Sequence, residues 1–255
     1  MKLLFIGDVV GKRGVEFLSK KLYNVKKSNN IDITVINGEN SATGNGITIN
    51  SATDLFRCGA DVITTGNHVF RRSEAVTLLE ENPCVIRPAN YPEDCPGKSF
   101  YIIDMGYCSI AVINLMGTAF LGAFANPFHT IDNILENIDT PNIFVDFHAE
   151  ATSEKKALGH YLAGRVTGVF GTHTHVQTAD ETILKNSTAY ITDVGMTGAE
   201  NSVLGIKSEI IIRNMMTLMP AKFIESEEPC FMNGVIVDFD EKNGKARKID
   251  RLIVR

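Results

Sequence analysis

Leu3-Leu4-Phe5-Ile6-Gly7-Asp8 is the stretch from which the fold can be read. Four apolar residues stopped by a glycine and a carboxylate have the length of a buried strand and are too few for a helix. Residues 15–26 follow, with Val15, Leu18, Leu22 and Val25 at helical spacing. Residues 33–36 form a second apolar run. Asn50 or Ser51 is placed to cap a helix through Leu55 and Phe56 that stops at Gly59. Residues 62–65 make a third strand, and Ser73 opens a short helix that ends before Pro83. A β-α-β-α-β rhythm of this kind predicts parallel strands joined by right-handed crossovers.

Further along, residues 100–104 and 109–115 read as a hairpin turning at Gly106, and residues 143–146 and 166–170 as strands flanking a helix at 153–162. Residues 189–192 are another strand, and 208–219 read as a helix. Residues 235–239 and 249–254 flank Asn243-Gly244, a hairpin signal. No repeat or linker interrupts the pattern, so residues 1–255 are expected to form one domain with two packed sheets.

Apolar residues make up 44% of the 255 and charged residues 22%, enough to build a sizeable core. The net charge of −5 argues against a long nucleic acid as partner, since that needs a basic surface. A small anionic substrate is compatible with it if bound cations invert the local field. The N-terminal apolar run is too short for a signal peptide, and no run reaches the length of a membrane-spanning helix. The five cysteines, Cys58, Cys84, Cys95, Cys108 and Cys230, are odd in number and lack CxxC spacing. Reduced thiols in a cytoplasmic protein are expected. Self-association stays open.

The polar residues that end the strands carry the chemistry. Asp8 follows the first strand, Glu39 and Asn40 the second, and Asn67 and His68 the third. His148 follows residues 143–146, and His173 and His175 follow residues 166–170. Ligands of open α/β sheets bind outside the carboxyl ends of the strands. Two carboxylates, two amides and three imidazoles exceed one coordination sphere and suit two ions sharing a bridge. Four of the six histidines fall in this set, which makes a set of unrelated structural roles a poor account. His173 and His175, two apart, would point to one side of an extended segment. Lys12, Arg13, Arg71 and Arg72 lie near these loops and read as solvated surface charge. The loops 43–46 and 193–198 carry no assigned role. Gly7 to Lys12 fails as a phosphate-binding P-loop, because three residues separate the glycines and Arg13 follows the lysine.

Gly66-Asn67-His68 and Gly171-Thr172-His173-Thr174-His175 resemble the GNH and GHTH blocks of the calcineurin-like metallophosphoesterases. That superfamily usually has D-x-H after the first strand and GDxxD after the second. Here Asp8-Val9-Val10 and Asn37-Gly38-Glu39-Asn40 stand instead. The combination is similar to the YmdB-like branch, bacterial cytoplasmic phosphodiesterases of 2′,3′-cyclic nucleotides. The resemblance implies a four-layer α-β-β-α sandwich of two mixed sheets flanked by helices. It implies Glu39 as the bridging ligand, Asp8, Asn40 and His175 completing one ion, and Asn67, His148 and His173 the other. It implies iron or manganese, whereas the residue types equally admit zinc. A metal-bridging hydroxide would attack phosphorus in line, and His68 would protonate the leaving oxygen. The alternative is a regulatory protein that binds a nucleotide at a metal site with weak or no catalysis.

The thiol reading is tested by titration. Denatured protein should show five free thiols both with and without prior reduction, and a lower count without reductant would contradict a reducing compartment.

Overall fold

The computed structural model describes residues 1–255. The first half runs β1 (Lys2–Ile6), β2 (Asp8–Val9), α1 (Gly11–Asn29), β3 (Ile33–Asn37), α2 (Ile49–Cys58), β4 (Val62–Thr64), α3 (Glu74–Glu81), β5 (Val85–Ile86), β6 (Phe100–Asp104) and β7 (Ser109–Met116). The second half runs α4 (Pro127–Leu135), β8 (Asn142–His148), α5 (Thr152–Leu162), β9 (Gly168–Thr172), β10 (Thr182–Leu184), β11 (Thr188–Ile191), β12 (Met196–Ala199), α6 (Ser208–Thr217), β13 (Cys230–Asp240) and β14 (Lys245–Val254).

Two mixed sheets result. The first has the order β2-β12-β13-β1-β3-β4-β5, with β14 also paired to β13. Its β1, β3, β4 and β5 are parallel, as the β-α-β rhythm requires. The second has the order β10-β11-β9-β8-β7-β6, parallel through β11, β9, β8 and β7. Alternation along β1 shows the layering. Leu3 and Phe5 face the second sheet, where Phe5 lies 5.1 Å from Phe170, ring centre to ring centre. Leu4 and Ile6 face Leu18 and Leu22 of α1 and Leu55 of α2. Across the second sheet, Ala111, Ile113 and Val145 face Leu158 and Leu162 of α5. The chain is thus a four-layer α-β-β-α sandwich. Strands buried on both faces read as unbroken apolar runs, which is why β1 was legible.

The departures from expectation are local. Helix α1 starts at Gly11 rather than near Val15, because its first turn is held by main-chain bonds that leave no apolar period. Val10 N donates to Thr197 O and Gly11 N to Asn40 O. The cap of α2 is Thr48 rather than Asn50 or Ser51. Ser51 is instead the third helical residue, and its hydroxyl accepts from Thr48 N at 3.0 Å, closing a capping box. The stretch 193–198 contains β12, which pairs with β2 and β13. No helix is long and apolar enough to cross a membrane.

One buried ion pair joins the outer helices to the end of the second sheet. Lys155 of α5 is 2% exposed, and its ammonium lies 2.7 Å from Asp193 Oδ2, just beyond β11. Burial raises the Asp193 carboxyl, and Lys155 opposes the rise. Asp193 also accepts from Thr174 N (3.2 Å), Thr174 Oγ1 (2.6 Å) and Gly195 N (2.7 Å). Lys155 donates to the same threonine hydroxyl at 3.1 Å. The pair therefore anchors Thr174, the residue between His173 and His175. Breaking a buried pair strands a charge and costs about 3–5 kcal/mol. Lys155→Met should lower the denaturation midpoint accordingly, and the double variant Lys155→Met/Asp193→Asn should recover most of the loss. A near-native midpoint for the single variant would show that the pair is not structural.

Candidate metal centre

The site is built on the buried carboxylate of Asp146. It lies on β8 of the second sheet and accepts from Asn37 Nδ2 of β3 (2.9 Å) and from the hydroxyl of Thr64 at the end of β4, both in the first sheet. Thr172 at the end of β9 donates to its other oxygen at 2.7 Å. Burial pushes this carboxyl up to about 7, against the pull of His148 and the two hydroxyls. The node ties the two sheets together where their strands end. Residues two apart on a strand share a face, so Asp146 stands on the same side of β8 as His148. That two-residue period is the sequence signal that pairs Asp146 with His148.

All seven residues named as ligands converge above this node. Asp8, Glu39 and His148 are fully buried. His148 Nε2 lies 3.3 Å from Glu39 Oε1, 3.0 Å from Asn67 Oδ1 and 3.1 Å from His173 Nδ1. His175 Nε2 lies 3.6 Å from Asp8 Oδ1 and 3.5 Å from Asn40 Nδ2. Asn40 Nδ2 donates to Glu39 Oε1 at 2.8 Å. A half-turn of that amide would present its oxygen to the same side. The backbone at Gly66 passes so close that a Cβ there would stand 2.3 Å from His148 Nε2 and 2.4 Å from Glu39 Oε2. Glycine is the only residue that lets Asn67 reach this centre.

The histidine loop differs from the expected extended segment. His173 has φ 93° and His175 φ 63°, both in the left-handed region that side chains other than glycine rarely adopt. The bonds from Asp193 and Lys155 hold Thr174 on the opposite side, and the histidines fold back over Asp8. His173 N donates to Asp8 Oδ2 at 3.1 Å. The outer nitrogen of His173 meets Glu150 Oε2 at 3.0 Å, and the inner nitrogen of His148 bonds Thr172 Oγ1 at 2.9 Å. These contacts orient both rings, as partners behind metal-binding histidines do. Glu150, Thr172, Lys155 and Asp193 carried no sequence signal, because each acts through a tertiary partner.

The electrostatics fit a cation. Burial disfavours every charge here, yet Glu39 and Asp8 hold His148 up to about 9. Burial also opposes ionisation of Glu39, but His148 and His68 keep it well below the usual carboxylate range. His173, half-buried and facing His148, is pushed down to about 4 by desolvation and by that neighbour. Asp8 Oδ1 is buried with no hydrogen-bond partner. Glu39, His148 and His173 each offer a ligand atom within 4.8 Å of the others. One proton on His148 Nε2 cannot satisfy the carboxylate, amide and imidazole acceptors facing it, whereas a divalent ion among them would. The donor set therefore fits the metals that the sequence pattern implies.

His68 lies at the rim, its side chain 30% exposed. Its Nδ1 sits 3.1 Å from Glu39 Oε1 and 3.0 Å from Asn40 Oδ1, which leaves Nε2 free. Of the four basic residues near the loops, Arg72 holds the loop 43–46 by its carbonyls, with Asn45 O at 2.9 Å and Gly44 O at 3.1 Å. Arg13 binds the carbonyls of Glu227 and Glu228. Lys12 pairs with Glu16 on the surface.

Known proteins share this sequence pattern and fold. The YmdB-like protein family matches residues 4–252. A 2′,3′-cyclic-nucleotide 2′-phosphodiesterase of Bacillus subtilis (strain 168) is 44% identical over 256 residues, covering 100% of this chain and 97% of that one. The crystal structure of a novel phosphatase of Mycoplasma pneumoniae superposes with a TM-score of 0.94 at 32% identity, over 100% of this chain and 93% of that one. The calcineurin-like phosphoesterase YfkN of Bacillus subtilis gives a TM-score of 0.59 at 10% identity, over 100% of this chain and 90% of that one, and shares the fold. The chain belongs to the YmdB-like family, on the calcineurin-like phosphoesterase fold, and is a hydrolase of phosphoric ester bonds.

Proposed function

We propose that this chain hydrolyses small phosphodiesters of the 2′,3′-cyclic nucleotide class with two divalent transition-metal ions bound. The observation that carries the reading is the convergence of seven ligand-type side chains from strand ends of both sheets, in a member of this family. Glu39 would be shared by the two ions. Asp8, Asn40 and His175 would hold one, and Asn67, His148 and His173 the other. Iron or manganese is proposed, with zinc compatible with the same donors. When bound, the ions supply an activated water and neutralise phosphate charge.

The protein's own groups do the rest. Glu39 and Asn40 fix the Nδ1 side of the His68 ring. The free Nε2 can then carry a proton to the departing ribose oxygen. Asp146, Thr172 and Glu150 set the ring planes of His148 and His173. The net charge of −5 supports a small substrate over a long nucleic acid. Five unpaired thiols support a cytoplasmic setting, and the shared cores support one domain over residues 1–255.

Glu39→Gln tests the shared ligand. It keeps shape, removes a negative charge and leaves one good acceptor where there were two. Elemental analysis should find two ions per native chain and fewer in the variant. Hydrolysis of 2′,3′-cyclic AMP should fall by orders of magnitude under a near-native circular dichroism spectrum. Close to normal turnover would remove Glu39 from its role, and one ion or none in reconstituted native protein would refute the two-ion centre.

His68→Ala separates proton donor from ligand. Both metals should stay, and the rate should fall most for the cyclic nucleotide, whose ribose oxygen leaves poorly. A nitrophenyl phosphodiester, whose leaving group needs no proton, should suffer less. Equal losses on both, or loss of metal, would contradict the assignment.

A further inference from the structure

The segment 117–126, between β7 and α4, leaves the sheet at the metal centre. Met116 pairs with His148 in the sheet, and Gly117 N donates to His148 O at 2.9 Å. A Cβ on Gly117 would stand 2.6 Å from Ala149 Cβ and 2.7 Å from Glu154 Oε2, so the chain hugs the end of β8.

The neck of this loop is held with unusual thoroughness. Asn90, 1% exposed, accepts from Met116 N at 2.9 Å and donates to Met116 O at 2.7 Å and Ala125 O at 3.1 Å. Its own carbonyl accepts from Ala125 N at 3.1 Å. Both ends of the loop are thereby clamped by one side chain and its backbone. Glu154 of α5 takes Thr118 N (2.9 Å), Thr118 Oγ1 (3.0 Å) and Ala119 N (3.2 Å). A loop so anchored presents its tip in a fixed place.

What the tip presents is apolar and aromatic. Residues 117–126 read Gly-Thr-Ala-Phe-Leu-Gly-Ala-Phe-Ala-Asn, without a charge. Phe124 packs on Tyr91 at 4.8 Å, and Tyr91 meets Phe70 edge-on at 5.4 Å. Phe70 is two residues beyond His68, so this aromatic wall continues from the rim of the centre. Phe120 is 91% exposed with φ 64°, a left-handed conformation unfavourable for a side chain of its size. Three residues from Gly117, its Cα lies within about 11 Å of a residue bonded to His148. That is comparable with the reach from the phosphorus of a nucleotide to the far edge of its base.

From these observations we infer that the loop 117–126 is the nucleobase-binding element of the site, with Phe120 stacking on the base of a bound nucleotide. A planar base offers a π-face whatever its identity, so one phenylalanine can hold purines and pyrimidines alike. The tip has no charge to pair with phosphate, and phosphate recognition stays with the buried centre. The inference rests on the phosphodiesterase reading and assigns the half of the substrate which that reading leaves free.

The test compares 2′,3′-cyclic AMP with glycerol 1,2-cyclic phosphate, which has the reacting ring without a base. Phe120→Ala is at a position too exposed to endanger folding. It should raise KM for the cyclic nucleotide about tenfold to a hundredfold with kcat little changed. The baseless ester should be turned over as by the native protein, and Phe120→Trp should restore the low KM. Native protein active on both esters, with KM for cyclic AMP unmoved in Phe120→Ala, would overturn the inference and leave the phosphodiesterase reading standing. An unmoved KM with a changed sedimentation coefficient would show that the tip docks protein instead, and would equally overturn it. Native protein inert to both esters would remove the phosphodiesterase reading, and this inference with it.

Discussion

The Asp146 carboxylate is the constraint from which the site follows. Two sheets packed through apolar faces have no intrinsic reason to stop sliding at a particular register, because dispersion and burial are only weakly directional. A buried carboxylate that gathers Asn37 and Thr64 from one sheet and Thr172 from the other supplies that direction. The donors from Asn37 and Thr64 are lost if either sheet shifts by a residue, and a buried carboxylate stripped of them is expensive. The ends of β3, β4, β8 and β9 are thus fixed against one another. Those are the strand ends that carry Glu39, Asn67, His148 and His173.

Close convergence exacts local concessions. The backbone before Asn67 has to pass within contact of His148 and Glu39, which admits only Gly66. The segment after β9 has to bring two histidines over Asp8 within three residues, which forces both into left-handed geometry. Conformations of this kind persist only where surrounding bonds over-determine them. Asp193 and Lys155 supply those bonds at Thr174, from outside the centre. The proposed cation would account for the inner face of the loop, as the buried ion pair does for its outer face.

Much of this was legible in sequence, for identifiable reasons. The long strands and α1, α2 and α5 announce themselves, because burial on one or both faces imposes a period or an unbroken apolar run. The candidate ligands announce themselves because parallel strands deliver their C-terminal ends to one edge, so residue type and strand order suffice. The two-residue β2 and β12, Met196-Thr197-Gly198-Ala199, carry neither a period nor an apolar run. The start of α1 rests on the carbonyls of Asn40 and Thr197, which no local pattern encodes. Lys155 reads as an ordinary helical lysine until Asp193 is brought beside it. Asp146 was missed although its spacing from His148 was visible, because a carboxylate before a histidine has no meaning without the donors across the sheets.

The distribution of local violations argues for function independently of any relative. Several other left-handed residues have ordinary reasons: Asn30 and Leu218 close α1 and α6, and Lys185 and Asn186 turn β10 into β11. His173 and His175 do neither. The unpartnered Asp8 oxygen and the crowded acceptors around His148 Nε2 lie at the same point. Sequences that fold well agree with their structures at each level, and the exceptions gather where something other than folding is being served. Strain, unpaired lone pairs and buried like charges are separate costs with no common cause in packing. The proposed pair of bound cations would relieve the second and third, and would give a reason for the first.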